Sequence, residues 1–189
     1  MNIVKFTLLS LLIVLSITFF SSCKDTKGKD PIAVLPPITT EGLNTFGCLI
    51  DGEVWVPERK IDIQCNYYPR HDFLDERLWG TLSFSSTRKS KFSKFTLVSI
   101  SHKEIFGKSK KYLHNDGPAS NKGGGGLLSF SSGDAYRTIN GINDLINIIE
   151  LDSIRKIISG TFEFDAVNKY EPFDTVKVRN GRFDLEFRY

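Results

Sequence analysis

Beyond residue 45 the chain is dominated by apolar and polar residues alternating with a period of two. Ile61, Ile63, Cys65 and Tyr67 alternate with Asp62, Gln64 and Asn66, which predicts a strand with one buried face over 60–67. The clearest strand is predicted over 156–167, where Phe162, Phe164 and Ala166 alternate with Thr161, Glu163 and Asp165. Strands at 45–50 and 53–56 flank Asp51-Gly52, a pair suited to the positive φ angles of a two-residue hairpin turn. Further strands are expected at 77–86, 92–102, 127–131 and 134–139. Periodicity alone leaves 145–152 between helix and strand. Its isoleucines and flanking strands favour strand. The chain closes with 173–179 and 182–189 around Asn180-Gly181, read as a second hairpin. In that hairpin Val178 faces Phe183 and Val176 faces Leu185 on the core side. Lys177 faces Asp184 on the wet side, and Arg179 faces Arg182.

Two stretches break the pattern. Residues 69–76 read as a polar loop. Residues 104–126 read as irregular, ending in four consecutive glycines taken as a flexible loop. The sum is about nine or ten short strands and little helix, an all-β domain of mostly antiparallel neighbours, sandwich or barrel. Fifteen phenylalanines suit packed sheets. There is no internal repeat and no sign of a second domain.

The first 44 residues follow other rules. Lys5 supplies a basic head, an apolar run of about fifteen residues follows, and Ser21 and Ser22 lead into Cys23. This arrangement resembles a bacterial lipoprotein signal, with Phe20 where that pattern usually has Leu. The resemblance implies cleavage after residue 22, a diacylglyceryl thioether on Cys23 and an acylated amine. Two or three acyl chains, each buried methylene contributing about 0.8 kcal/mol, anchor a protein durably. The run is shorter than the roughly 20 apolar residues of a spanning helix. Residues 23–44 carry charge, Gly and Pro with little periodicity, and read as a tether reaching roughly 25 Å. The domain is then expected over 45–189. The tether's charged start, with Lys24, Asp25, Lys27 and Asp30, resembles the segment after the lipidated cysteine in lipoproteins of the Bacteroidota.

Two further segments carry a family resemblance. The opening Phe46-Gly47-Cys48-Leu49-Ile50-Asp51-Gly52-Glu53-Val54-Trp55-Val56-Pro57 looks like the first hairpin of small uncharacterised lipoproteins of the Bacteroidota. So do Lys156-Ile157-Ile158-Ser159-Gly160-Thr161-Phe162-Glu163-Phe164 and Asn180-Gly181-Arg182-Phe183-Asp184. The resemblance covers the two ends of the domain and not residues 70–140. It implies location and fold class, and no activity.

Candidate chemistry is sparse. Once Cys23 is acylated, Cys48 and Cys65 remain, at the parity of their apolar neighbours, either bridged or as buried thiols. His71, His102 and His114 show no metal-ligand spacing and are expected on loops or the surface. Asp62, Asp72, Asp75 and Glu76 form no calcium-loop pattern. Gly107-Lys108-Ser109 lacks the upstream glycine of a phosphate loop, and no Gly-x-Ser-x-Gly occurs. No metal or cofactor is expected. Trp55 and Trp79 lie within strands and are expected in the core rather than on a sugar platform. The most biased stretch holds Arg88, Lys89, Lys91, Lys94, Lys103, Lys108, Lys110 and Lys111 against Glu104 alone. It reads either as a patch for an anionic lipopolysaccharide, glycan or partner, or as lysine-guarded edge strands. The formal charge of +3 is too small to suggest nucleic-acid binding. The expected function is that of a non-enzymatic outer-membrane lipoprotein that binds an envelope protein or glycan. The alternative is an envelope hydrolase or glycan-processing enzyme on a β scaffold.

Overall fold

Eleven strands in one antiparallel sheet make up the fold in the computed structural model, which describes residues 31–72, 75–88, 95–105, 107–113, 124–130, 135–138 and 144–189. In chain order they are β1 (Thr45–Ile50), β2 (Glu53–Trp55), β3 (Ile63–Asp72), β4 (Asp75–Thr87), β5 (Phe95–Ile105), β6 (Ser109–Tyr112), β7 (Gly124–Phe130), β8 (Ala135–Thr138), β9 (Leu145–Asp152), β10 (Ile157–Asn168) and β11 (Thr175–Glu186). Helix is confined, among the described residues, to one turn at Pro31–Val34 and a 3-10 turn at Lys60–Asp62. The all-β expectation holds, and 145–152 is a strand.

Neighbouring strands run in the order β2, β1, β11, β10, β8, β7, β5, β4, β3. β9 pairs with the first part of β10, β8 pairs with its last residues, and β6 flanks β9. The sheet curls until β3, at one end of this order, meets the tail of β11. The Arg188 N–H donates to the Cys65 carbonyl at 3.0 Å, and the Tyr67 N–H donates to the Arg188 carbonyl at 2.9 Å. This short parallel bridge links β3 to the tail of β11.

Inside the curl lies one hydrophobic core. β10 contributes Ile158, Phe162, Phe164 and Ala166, β11 contributes Val176, Val178, Phe183 and Leu185, and β4 contributes Leu82 and Phe84. Phe162 stacks on Phe46 at 5.4 Å between ring centroids, and Phe84 lies 4.5 Å from Phe183. Strands from opposite sides of the sheet thus meet ring to ring.

The closing hairpin expected at Asn180-Gly181 does not form. β11 runs straight through both residues. Phe162 pairs with Gly181 and Phe164 with Val178, so two residues of β11 oppose one of β10. The same shift occurs against β1, between Gly47 and Leu49. Asn180, at φ 52°, is the left-handed residue of a β-bulge. The bulge moves the inward side from even positions, Val176 and Val178, to odd ones, Phe183 and Leu185. Lys177 accordingly faces Asp165 rather than Asp184. Gly181 is required by packing, since a Cβ there would sit 2.4 Å from the Phe162 ring. Gly181→Ala is therefore expected to cost about 2 kcal/mol through overpacking. An unchanged midpoint of urea unfolding would show that the ring can yield.

Other expectations are corrected by close backbone approach. Gly124–Gly126, taken for part of a flexible loop, lies in β7 and pairs with β5. A Cβ on Gly126 would meet the Phe164 ring at 2.6 Å, and one on Gly124 the Ser101 carbonyl at 2.2 Å. Glycine is there because other atoms occupy the side-chain space. The polar stretch at 69–76 extends β3 and β4 to Asp72 and Asp75. Ile61 falls in the 3-10 turn and is 79% exposed, so the inward alternation starts at Ile63 and Cys65 instead.

Candidate binding cleft

The tether expected to run to residue 44 is shortened by a carboxylate. Asp184 sits on the outer side of β11 yet is only 1% exposed, because residues 39–43 lie over it. It accepts four hydrogen bonds: from the Thr39 hydroxyl at 2.6 Å and from the N–H groups of Gly42 at 2.8 Å, Glu41 at 3.1 Å and Leu43 at 3.3 Å. Burial pushes this carboxyl's pKa up, but the four donors outweigh it and hold the pKa below the ordinary aspartate value. Arg182 Nη1 donates to the Pro36 carbonyl at 3.0 Å, and Leu35 is buried. The segment from Leu35 to Asn44 is thus a strap along β11.

At its end the strap reaches a cleft of about 720 Å³, to which it contributes Asn44 beside Glu186, Phe187 and Arg188. Pro57 and the 3-10 turn carry the chain from β2 across to β3 without pairing, so β1–β2 and β3 diverge. Alternate residues of a strand present their N–H and C=O groups to opposite edges. Since Cys65 and Tyr67 bond to Arg188, the odd residues of β3 face away from β4. The Ile63 N–H is satisfied by the Lys60 carbonyl. The Cys65 N–H and the Ile63 carbonyl are left facing the cleft. On the other wall Asn44 Oδ1 accepts the Glu186 N–H at 3.0 Å. Lys60 Nζ donates to the Leu43 carbonyl at 2.6 Å. Arg188 and Glu186 are exposed at the rim. A smaller hollow of about 300 Å³, shared with Asn44, Lys60 and Ile63, continues toward Phe46.

The cleft holds one thiol. Cys65 lies at its floor, and burial pushes the thiol up to about 12. Cys48 is wholly buried, and its thiol is raised further for the same reason. Thiolate is the reactive form, so neither is a nucleophile at neutral pH. Both are buried and unbridged.

The basic stretch is divided by the fold. Arg88, beyond the end of β4, is half-buried with Nη1 donating to the Val54 carbonyl at 3.4 Å. Lys103, on β5, is exposed at the other end of that strand pair, roughly 20 Å away by strand rise. Lys108 is paired with Glu150 at 3.0 Å. Lys110 and Lys111 lie on β6 beside β9. Lys89, Lys91 and Lys94 fall outside the described residues, as do His114 and the whole of 1–30, including Cys23. Among the described members, Arg88 is thus set apart from Lys103 by the length of the β4–β5 pair.

Trp55 is buried and packs edge-on against Phe46 at 5.9 Å. His102, expected on a loop or the surface, is buried in β5, where its Nδ1 accepts the Glu104 N–H at 3.0 Å. Asp62 is held by Arg59 at 2.8 Å. Among the described residues no three His, Cys, Asp or Glu side chains group to hold a metal ion. Asn44, Lys60 and Arg188, which line the cleft, were not singled out from the sequence, and Asp184 was read only as a wet-side partner of Lys177. Asp184 did carry a signal, as the lone carboxylate between Phe183 and Leu185.

No protein-family model, curated protein or solved structure matches the chain.

Proposed function

We propose that this chain is a lipid-anchored protein of the outer membrane whose β domain binds a partner or ligand at the cleft between β3 and the tail of β11, without catalysing a reaction. The observation that carries the reading is the position of Cys23, directly after a basic head, an apolar run and two serines. The resemblance of the opening and closing segments to small lipoproteins of the Bacteroidota agrees with it. The strap adds a geometric consequence. With the chain packed along β11 from Leu35 onward, the stretch from Cys23 to Leu35 can extend at most roughly 42 Å, which limits how far the domain stands from the bilayer. The binding role is supported by the cleft's size, which lies in the range of ligand sites, and by its unpaired backbone groups. Inert thiols and a fully hydrogen-bonded Asp184 support a role without chemistry.

Metabolic labelling with palmitate tests the anchor. The wild-type chain is expected to take up label and the Cys23→Ser variant to take up none. Equal labelling of the two, or no labelling of either, would defeat the proposal.

A further inference from the structure

We infer that the cleft takes an extended acidic peptide from a partner protein by strand addition to β3; the inference rests on the binding role proposed above and names its ligand class. Three observations converge. First, β3 offers an unpaired edge at the cleft, with the Cys65 N–H as donor and the Ile63 carbonyl as acceptor on the same side. An added strand bonds through such a pair. The offer is local. On one side the Ile63 N–H is already bound to Lys60, and on the other the edge is occupied by Arg188 and then reaches Pro69, which has no N–H to give.

Second, the sheet stays open here for structural reasons. The 3-10 turn at Lys60–Asp62 and the Asp184-bound strap hold the two walls apart, and the wall opposite β3 is fixed by the bond from the Glu186 N–H to Asn44. The gap is thus preformed, which lowers the ordering cost of binding.

Third, the rim has a charge preference. Lys60 and Arg188 line the cleft against Glu186. Lys60 spends one donor on the Leu43 carbonyl and keeps its positive charge. Arg188 makes no ion pair among the described residues. Its planar fork can hold a carboxylate by two parallel hydrogen bonds. Side chains of an added strand alternate between faces. One set would project outward beside Arg188, Gln64 and Asn66, and the other inward toward Ile63 and Phe187. An alternating acidic and apolar segment matches both.

The test uses the full chain in detergent and a fluorescent acetyl-Val-Glu-Val-Glu-Val-amide probe. The inference predicts saturable binding that slows hydrogen exchange at the Cys65 amide. It also predicts roughly tenfold weaker binding to Arg188→Glu, a surface change that leaves the backbone bridge in place. Binding should fall by at least a similar factor when the probe's central amide is N-methylated or its glutamates become lysines. The inference is overturned by any of three results: no binding of the acidic probe, binding that leaves Cys65 exchange unchanged, or binding indifferent to Arg188→Glu and to N-methylation. Binding of a soluble glycan fragment with no binding of the peptide would overturn it as well. All of these readouts are independent of palmitate on Cys23, so the peptide inference and the anchored-lipoprotein reading can fail separately.

Discussion

Phe162→Ala is expected to lower the unfolding free energy by about 4 kcal/mol, in the range for removing a fully buried phenylalanine. Phe162 is 1% exposed. It stacks on Phe46 from β1, lies 6.1 Å from Phe84 of β4 and 6.4 Å from Phe183 of β11. Its ring also covers Gly181, which has no side chain to swing into the vacancy. The cavity would be lined by rings fixed by their own neighbours, so little collapse is available to reduce the cost. Phe162→Leu keeps most of the volume and is expected to cost clearly less. Urea unfolding followed through tryptophan fluorescence reads both variants, because Trp55 packs against Phe46, which touches Phe162. A loss below about 1 kcal/mol for the alanine variant would mean that the core is not centred on this ring.

Asp184→Ala is expected to be the next most damaging change, costing about 3 kcal/mol. Hydrogen bonds to a charged acceptor contribute about 1.5–3 kcal/mol each. The four here are not additive, because the strap can fray into water once the carboxylate is gone. The loss should be local before it is global. Amide exchange at Gly42 and Leu43 should accelerate toward the unprotected rate while β10 stays protected. The pH dependence has a definite sign. Asp184 has a folded pKa lowered below its unfolded value of about 3.9. Its contribution is therefore present in full above that value and is lost as pH falls through the folded pKa. Wild type and Asp184→Asn should differ most at neutral pH and converge below about pH 4. A difference that widens on acidification would mean that the carboxylate is not the clasp.

Much of this architecture can be read from alternation, because a half-buried sheet imposes a period of two on its residues. The first hairpin followed from Asp51-Gly52, and the two residues do take positive φ, 50° and 85°. The same logic failed at Asn180-Gly181 for a physical reason. A two-residue hairpin and a one-residue bulge both switch the inward parity, so Val178 and Phe183 are buried under either. Only the pairing of both edges of β11, with β10 and β1, distinguishes them. The glycine run misled because a glycine that frees the backbone and one that admits a neighbouring ring look identical in sequence. The cleft was invisible because it is a gap between strands distant in the chain, 63–66 and 186–188. The strap was missed because its binding residue, Asp184, lies 141 to 145 positions away from its donors.

The account's central claim is that residue 23 ties this β domain to a bilayer, and intact mass spectrometry of the chain purified from membranes tests it most directly. The account predicts a species beginning at Cys23 and carrying a diacylglyceryl group, with any further acyl chain on the new amine. An unmodified cysteine, or a chain that begins elsewhere, would contradict it.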